Sequence, residues 1–322
     1  MNTIVILALD GMMDSGLAII LDTFRTAQAF QARGGKAGVV KLRVAAYGKT
    51  VTTGGGMRLA ADLTFGQVAA QRPDWVVVPG LGLVSEEGIA GRLAQADAKA
   101  ALALLRSLPA STQVAAACSS VFLLAETGLL ADRHVTMTWW LAHHFRARYP
   151  EVRLDETRML VRDARYLTCG SAFAQLDLAL AVTAETMGQN VAHLCSRYLL
   201  IDQRPSQARY MIQSHVRQSD PTVAAAERWI DARLDEPISV SGLAAALAVS
   251  PKTLARRIEA ASGVSPVKFI QRRRLLKASH LIESTGLSIE AVAAKVGYQD
   301  ATALRKLIKR EFGTTPVALR HQ

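Results

Sequence analysis

Cysteine is scarce: the 322 residues hold three, Cys118, Cys169 and Cys195, odd in number and widely spaced. That excludes a disulfide framework and offers no zinc-ligand spacing, so a reducing compartment, the cytoplasm, is the expected location. Long apolar runs are also missing. None reaches the ~18 residues that a membrane helix needs, and no membrane partner is expected. A basic leader is absent as well. The opening MNTIVILALDG meets Asp10 after a few apolar residues and reads as a first strand, not a signal peptide. The glycine-rich Thr52-Thr53-Gly54-Gly55-Gly56 lacks the Gly-Lys-Ser/Thr ending of a phosphate loop and reads as a hairpin or loop. His143 and His144 are neighbours on a helical stretch. Successive helix positions lie about 100° apart, so the two cannot face one ion. Neither a metal nor a cofactor is expected.

What is present is unevenly charged. The net charge is +11, and residues 221–322 carry 16 Lys+Arg against 9 Asp+Glu. The first 220 residues hold 22 and 18, a much weaker excess over twice the length. A small basic domain joined to a larger, nearly neutral one fits a polyanion-binding module with a partner domain.

In the first part, short β-rich runs alternate with helical patterns. Strands are expected at TIVILAL (3–9), LRVAAYG (42–48), DWVVVPG (74–80), QVAAAC (113–118) and HVTMT (134–138), with a hairpin over 157–170 turning at Asp163-Ala164. Helices are expected over 15–31, 97–108, from Ser119 to Gly128, from Trp139 to Pro150, and over 172–187. Continuous apolar strands alternating with helices predict a doubly wound α/β domain with a mostly parallel sheet covered on both faces. In such sheets ligands bind outside the carboxyl ends of the strands. Asp10-Gly11, Gly80-Leu81-Gly82, Cys118 and Cys169-Gly170 all fall just past strand ends.

Cys118 stands at a sharp strand-to-helix junction, VAAACSSVFLLAETG, the way several hydrolase-like folds present a nucleophile. The frame ALDGMMDSGLAIILDTFRTA, the VVVPG strand end, this elbow and the DLAL helix near 177–180 resemble the ThiJ/PfpI domain of the class I glutamine amidotransferase-like fold. Enzymes of that family set the elbow Cys against an acid from the first helix and often a His near the elbow. A thiol is mostly protonated at neutral pH and needs such help. By that resemblance the acid position falls at Gly16, the His position at Thr138, and the usual small Gly at Ser120. Asp14 is the nearest substitute. Cys118 therefore has three readings: a nucleophile, a pocket residue that touches a ligand or senses oxidation, or a small buried side chain. The expected effector pocket comprises Asp14, Gly80, Cys118, Ser119, Thr138, Trp139 and Cys169. Trp139 and Trp140 serve as core or as a wall of that pocket.

The domain boundaries are expected at 1–188, a helical linker 189–220, and 221–322. The linker's RYLLIDQRPSQARYM resembles the connector of GlxA-like regulators. Beyond it, TVAAAERWIDARLDEP is an amphipathic helix, followed by two copies of one pattern. In the first, Ser239 caps a short helix, Ala248-Val249 turns, and Ser250-Pro251 opens a second helix with Leu254 and Ile258 inward. Lys252, Thr253, Arg256 and Arg257 are left outward. After the long helix 266–285, Ser288 caps, Gly297-Tyr298 turns, and Asp300 opens a helix with Leu304 and Ile308 inward. Thr302, Arg305, Lys306 and Lys309 point outward. Short helix, brief turn and basic helix make a helix-turn-helix, and two of them can enter successive major-groove segments about 34 Å apart.

SPKTLARRIE, RRRLLKASHLI, VGYQDATALRKLIKREFG and TTPVALR resemble the AraC/XylS DNA-binding domain in order and spacing. Ala303-Leu304 and Lys306 depart from the aromatic and Arg side chains common there. The resemblance implies a transcription regulator on double-stranded operator DNA that forms a homodimer, and Gly16 and Thr138 make its N-terminal domain a catalytically silent one that binds an unknown small effector or mediates dimerisation. The competing expectation is a cysteine-dependent amidase or glyoxalase-like enzyme with an attached DNA-binding domain. Gly16 and Thr138 weigh against it.

Overall fold

The computed structural model describes residues 2–33, 40–83, 85–202, 204, 206–211 and 220–320. The chain divides into two compact units, one ending at Arg204 and one beginning after it.

The first unit is built on a seven-stranded sheet. Its strands are β1 (Asn2–Leu7), β2 (Val40–Ala46), β3 (Leu63–Thr64), β4 (Trp75–Val78), β5 (Gln113–Ala117), β6 (Leu160–Asp163) and β7 (Tyr166–Cys169). They lie in the order β6-β7-β5-β4-β1-β2-β3. All neighbours are parallel except the edge pair β6–β7, where Leu160 faces Cys169 and Asp163 faces Tyr166. That hairpin turns where expected, with Ala164 at φ +49°. The central strands carry unbroken apolar runs because both faces are covered; Ile4, Ile6, Val76, Val77 and Ala115 are fully buried.

The covering helices include α1 (Asp14–Arg33), α2 (Glu87–Leu93), α3 (Ala96–Ser107), α4 (Ser120–Glu126) and α5 (Ala174–Met187). Next comes α6 (Gln189–Tyr198), which packs on α5 and α1. The sequence placed this helix in the linker, whereas it belongs to the first unit. The expected linker residues 203, 205 and 212–219 lie outside the described residues. The strand expected over 134–138 is confined to His134–Val135, paired with Arg153–Leu154; a tight turn at Trp139–Leu141 then precedes the helix Ala142–Arg148. The strand order reverses between β1 and β4, so the loops after β1, β4 and β5 converge at the switch point where such sheets take ligands.

The second unit is all helical: α7 (Pro221–Asp231), α8 (Val240–Ala246), α9 (Pro251–Ser262), α10 (Pro266–Ser284), α11 (Ile289–Lys295), α12 (Ala301–Phe312) and α13 (Pro316–Arg320). The caps read from the sequence form. Ser239, Ser250 and Ser288 each accept a backbone N–H of the following turn, and Asp300 accepts two, from Thr302 and Ala303. Gly263 and Gly313 close α9 and α12 at φ +67° and +70°. Two apolar clusters result, one per helix-turn-helix. Leu243, Leu254, Ile258 and Phe269 pack with α7, and Leu275, Ile282, Val292, Leu304 and Ile308 form the other. α10 contributes its first half to one cluster and its second half to the other.

Candidate functional site

The strand-end cluster of the first unit centres on the elbow. β5 ends at Ala117, Cys118 adopts φ +54°, and α4 starts at Ser120. A non-glycine residue in that region costs about 1–2 kcal/mol, so the surroundings must hold it. They do so with hydrogen bonds. Cys118 N donates to Cys169 O at 3.1 Å. The Ser120 hydroxyl accepts from Ala117 N at 2.9 Å and lies 2.9 Å from Val78 O and 2.7 Å from Ala117 O. Ser120 is thus a brace for the turn.

The Cys118 thiol donates to Thr138 Oγ1 at 3.4 Å, and Thr138 donates to Ser171 Oγ at 3.2 Å. Both partners are neutral hydroxyls, which do not accept a proton at neutral pH. The space beside Gly16 is filled from another helix. A Cβ on Gly16 would fall 2.6 Å from Gln175 Nε2 and 2.9 Å from its Oε1. The Gln175 carboxamide, on α5 and 1% exposed, therefore fills the space beside α1. Its Oε1 accepts from Gly80 N at 3.0 Å and its Nε2 donates to Ala172 O at 3.1 Å. An uncharged amide thus lies beside Gly16. Nothing in the local sequence marks it: Gly80 and Gln175 are 95 positions apart.

The other expected pocket residues separate into two groups. Gly80, Cys118, Ser119, Thr138, Trp139 and Cys169 gather behind the switch point, all buried. Ser119 Oγ accepts from Leu83 N at 3.4 Å, and a Cβ on Gly80 would meet Cys118 Cβ at 3.1 Å. Trp139 packs edge-on against Trp140 with ring centroids 5.2 Å apart. Burial pushes the Cys169 thiol well above its ordinary range, and nearby Cys118 and Asp177 push the same way. Asp14 does not join them. Its Oδ1 accepts from Gly55 N at 3.2 Å, so it anchors the loop 53–57. On the same side, buried Arg92 pairs with Asp97 at 2.7 Å and donates to Asp10 O at 2.8 Å, clamping the loop after β1. Behind Gln175, Asp177 pairs with Arg204 at 2.5 Å, and burial raises its carboxyl despite that partner.

In the second unit, α9 and α12 present the expected residues unequally. Lys252, Arg256, Thr302, Arg305, Lys306 and Lys309 are exposed, and Thr253 is half-buried beside its cap, Ser250. Arg257, its side chain still 41% exposed, instead reaches Thr222 Oγ1 and Asp220 at 3.6 Å. Helix geometry explains this: Arg257 is about 140° from Lys252 around the axis, while Thr302, Arg305, Lys306 and Lys309 fall within about 100°. Arg305 is itself engaged, donating to Glu290 Oε1 at 2.7 Å. That acid was not singled out by the sequence pattern. Among the described residues no helix is long and apolar enough to cross a membrane.

Comparison with known proteins agrees with both units. Residues 2–185 match the DJ-1/PfpI family and residues 243–322 match a helix-turn-helix domain. The chain is 27% identical over 236 residues to the HTH-type transcriptional regulator GlxA of Rhizobium meliloti, covering 70% of this chain and 71% of that protein. It is 24% identical over 207 residues to the HTH-type transcriptional regulator GbdR of Pseudomonas aeruginosa, covering 63% and 56%. Among solved structures, Drosophila melanogaster DJ-1beta superposes with a TM-score of 0.51 at 20% identity, over 63% of this chain and 99% of that one. An AraC family transcriptional regulator from Pseudomonas putida gives 0.52 at 17% identity, over 62% and 100%. Both likenesses concern the fold. With its first 185 residues matched to that family and its elbow, sheet order and switch point in place, the chain belongs to the DJ-1/PfpI family and carries a C-terminal helix-turn-helix domain.

Proposed function

We propose that the protein is a sequence-specific DNA-binding transcriptional regulator whose DJ-1/PfpI unit performs no catalysis. The observation that carries this reading is the pair of capped, repeated helix-turn-helix units, each presenting exposed basic side chains on its second helix. The regulators to which the chain is similar support it. Lys252, Thr253, Arg256, Thr302, Arg305, Lys306 and Lys309 form the reading and phosphate-contacting set, Arg and Lys suiting guanine edges or phosphates and Thr a thymine methyl. Arg257, engaged with Thr222 and Asp220, lies to the side of that set. Two contacts support a silent first unit: Cys118 bonds a threonine hydroxyl, and Gln175 fills the place beside Gly16. That unit serves as input, binding a small effector at the strand ends or joining two copies. An effector there acts only if it favours one placement of the DNA-binding units over another.

The test is direct. A duplex is enriched from a random-sequence library with the full-length protein, and its affinity is compared for Arg256→Ala and Arg305→Ala. Each substitution weakens binding by about 1–3 kcal/mol if the side chain reads a base. Unchanged affinity in both removes these arginines from the interface.

A further inference from the structure

The two helix-turn-helix units are near copies, which makes their difference informative. The opening caps Ser250 and Asp300, the buried pairs Leu254/Leu304 and Ile258/Ile308, and the closing glycines Gly263 and Gly313 all correspond. So do the caps Ser239 and Ser288, and the left-handed turn residues Ala248 (φ +53°) and Gly297 (φ +74°). On this alignment Arg305 corresponds to Ala255, and Glu290 to Ser241. Of the two, the second helix-turn-helix therefore carries an ion pair between its helices, Arg305 to Glu290 at 2.7 Å. Both side chains are exposed, 47% and 65%, so the pair adds little to the fold. It does fix where a guanidinium sits on the outward stripe of α12.

We infer that Glu290 is a specificity-determining positioning residue acting through Arg305. One carboxylate oxygen holds one Nη of the guanidinium, leaving its remaining N–H groups to meet a base edge in the groove. A free arginine on a flexible stem would instead settle on the nearest phosphate, which binds DNA of any sequence. The carboxylate thus withholds one positive charge from indiscriminate phosphate binding and directs it to one base pair. The first helix-turn-helix, with Ser241 and Ala255, lacks the device, so the two helix-turn-helices read DNA unequally. This inference rests on the DNA-binding reading above.

The experiment uses full-length protein, the enriched duplex, all single-base variants of it, and a scrambled duplex. Wild type, Glu290→Gln, Arg305→Ala and the double variant are compared. Glu290→Gln is expected to tighten binding to the scrambled duplex roughly two- to fivefold, within the reach of an exposed ion pair. It should also flatten the preference at the one base pair whose preference Arg305→Ala abolishes. In the Arg305→Ala background Glu290→Gln should change neither. A Glu290→Gln effect of the same size in that background would overturn the inference, because a carboxylate merely repelling phosphates needs no arginine. An unchanged base preference in Glu290→Gln would overturn it too. A library from which wild type enriches no sequence would overturn the DNA reading itself, and the inference with it.

Discussion

At the scale of single residues, the telling substitution is a side chain in place of another from elsewhere in the chain. Gly16 has no Cβ, and Gln175 occupies the room that leaves. Gly16→Ala is expected to destabilise the first unit by about 1–3 kcal/mol through overpacking. The cost should shrink in a Gln175→Ala background, where the clashing amide is gone. Urea unfolding of the two single variants and the double one measures this, and strictly additive costs would show that the two residues do not share the space. The cysteines make a second residue-level prediction. Burial pushes Cys195 up to about 11, and Cys169 is raised in the same direction. A thiol with a raised folded pKa keeps a proton that the unfolded chain gives up. Its contribution is therefore complete below the unfolded value of about 8.5 and is lost as pH climbs through the folded one. Stability of the first unit should fall between pH 8.5 and 11, and Cys195→Ser should flatten that fall by on the order of 1 kcal/mol at pH 10. Unfolding midpoints at pH 7.5 and 10 check it.

At the scale of elements, the helix-turn-helix repeat contains its own controls. Both turns need a left-handed residue, and one uses Ala248 where the other uses Gly297. Ala248→Gly should relieve strain and stabilise the second unit by about 1 kcal/mol. The reverse change at the other turn should cost more than that, since a Cβ on Gly297 would lie 2.3 Å from Leu234 O. Thermal melts of the two variants should move in opposite directions. The caps behave alike in both copies, so Ser250→Ala and Asp300→Ala should each cost about 1 kcal/mol. α10 ties the copies together. Arg274 donates to Glu236 O at 2.6 Å and to Gly297 O at 3.3 Å, while buried Arg273 pairs with Asp231 and with Glu227 at 3.4 Å. These bonds, with the two apolar clusters that α10 joins, hold the two helix-turn-helices to one another. Most of this was legible in the sequence, because caps, turns and i, i+4 apolar spacing are local. The exception was Arg257, whose partners Thr222 and Asp220 come from the preceding helix and its cap.

At the scale of the whole molecule, charge is divided as function requires. The excess of basic residues after Pro221 gives the DNA-binding unit a surface that displaces counterions from phosphates. Affinity for the enriched duplex should fall steeply with salt, log K declining by about 0.9 per phosphate contact for each unit of log salt concentration. A flat titration would count against DNA as the ligand. Oligomeric state, measured by sedimentation of the full-length protein, checks the proposed joining of two copies through the first unit; a monomer at all concentrations would leave that unit with effector binding alone.

The sequence by itself determined the α/β and helical halves, the elbow at Cys118, the duplicated recognition helices and the asymmetry of charge. Each is written in residues near one another, through periodicity, capping and turn chemistry. Only the tertiary structure decided that Gln175 fills the space beside Gly16, that Asp14 accepts from the loop at Gly55, that α6 belongs to the first unit, and that Glu290 holds Arg305. Those outcomes depend on which side chains meet across elements far apart in the chain. Packing and hydrogen bonding select such partners only once the sheet has been assembled and the helices docked.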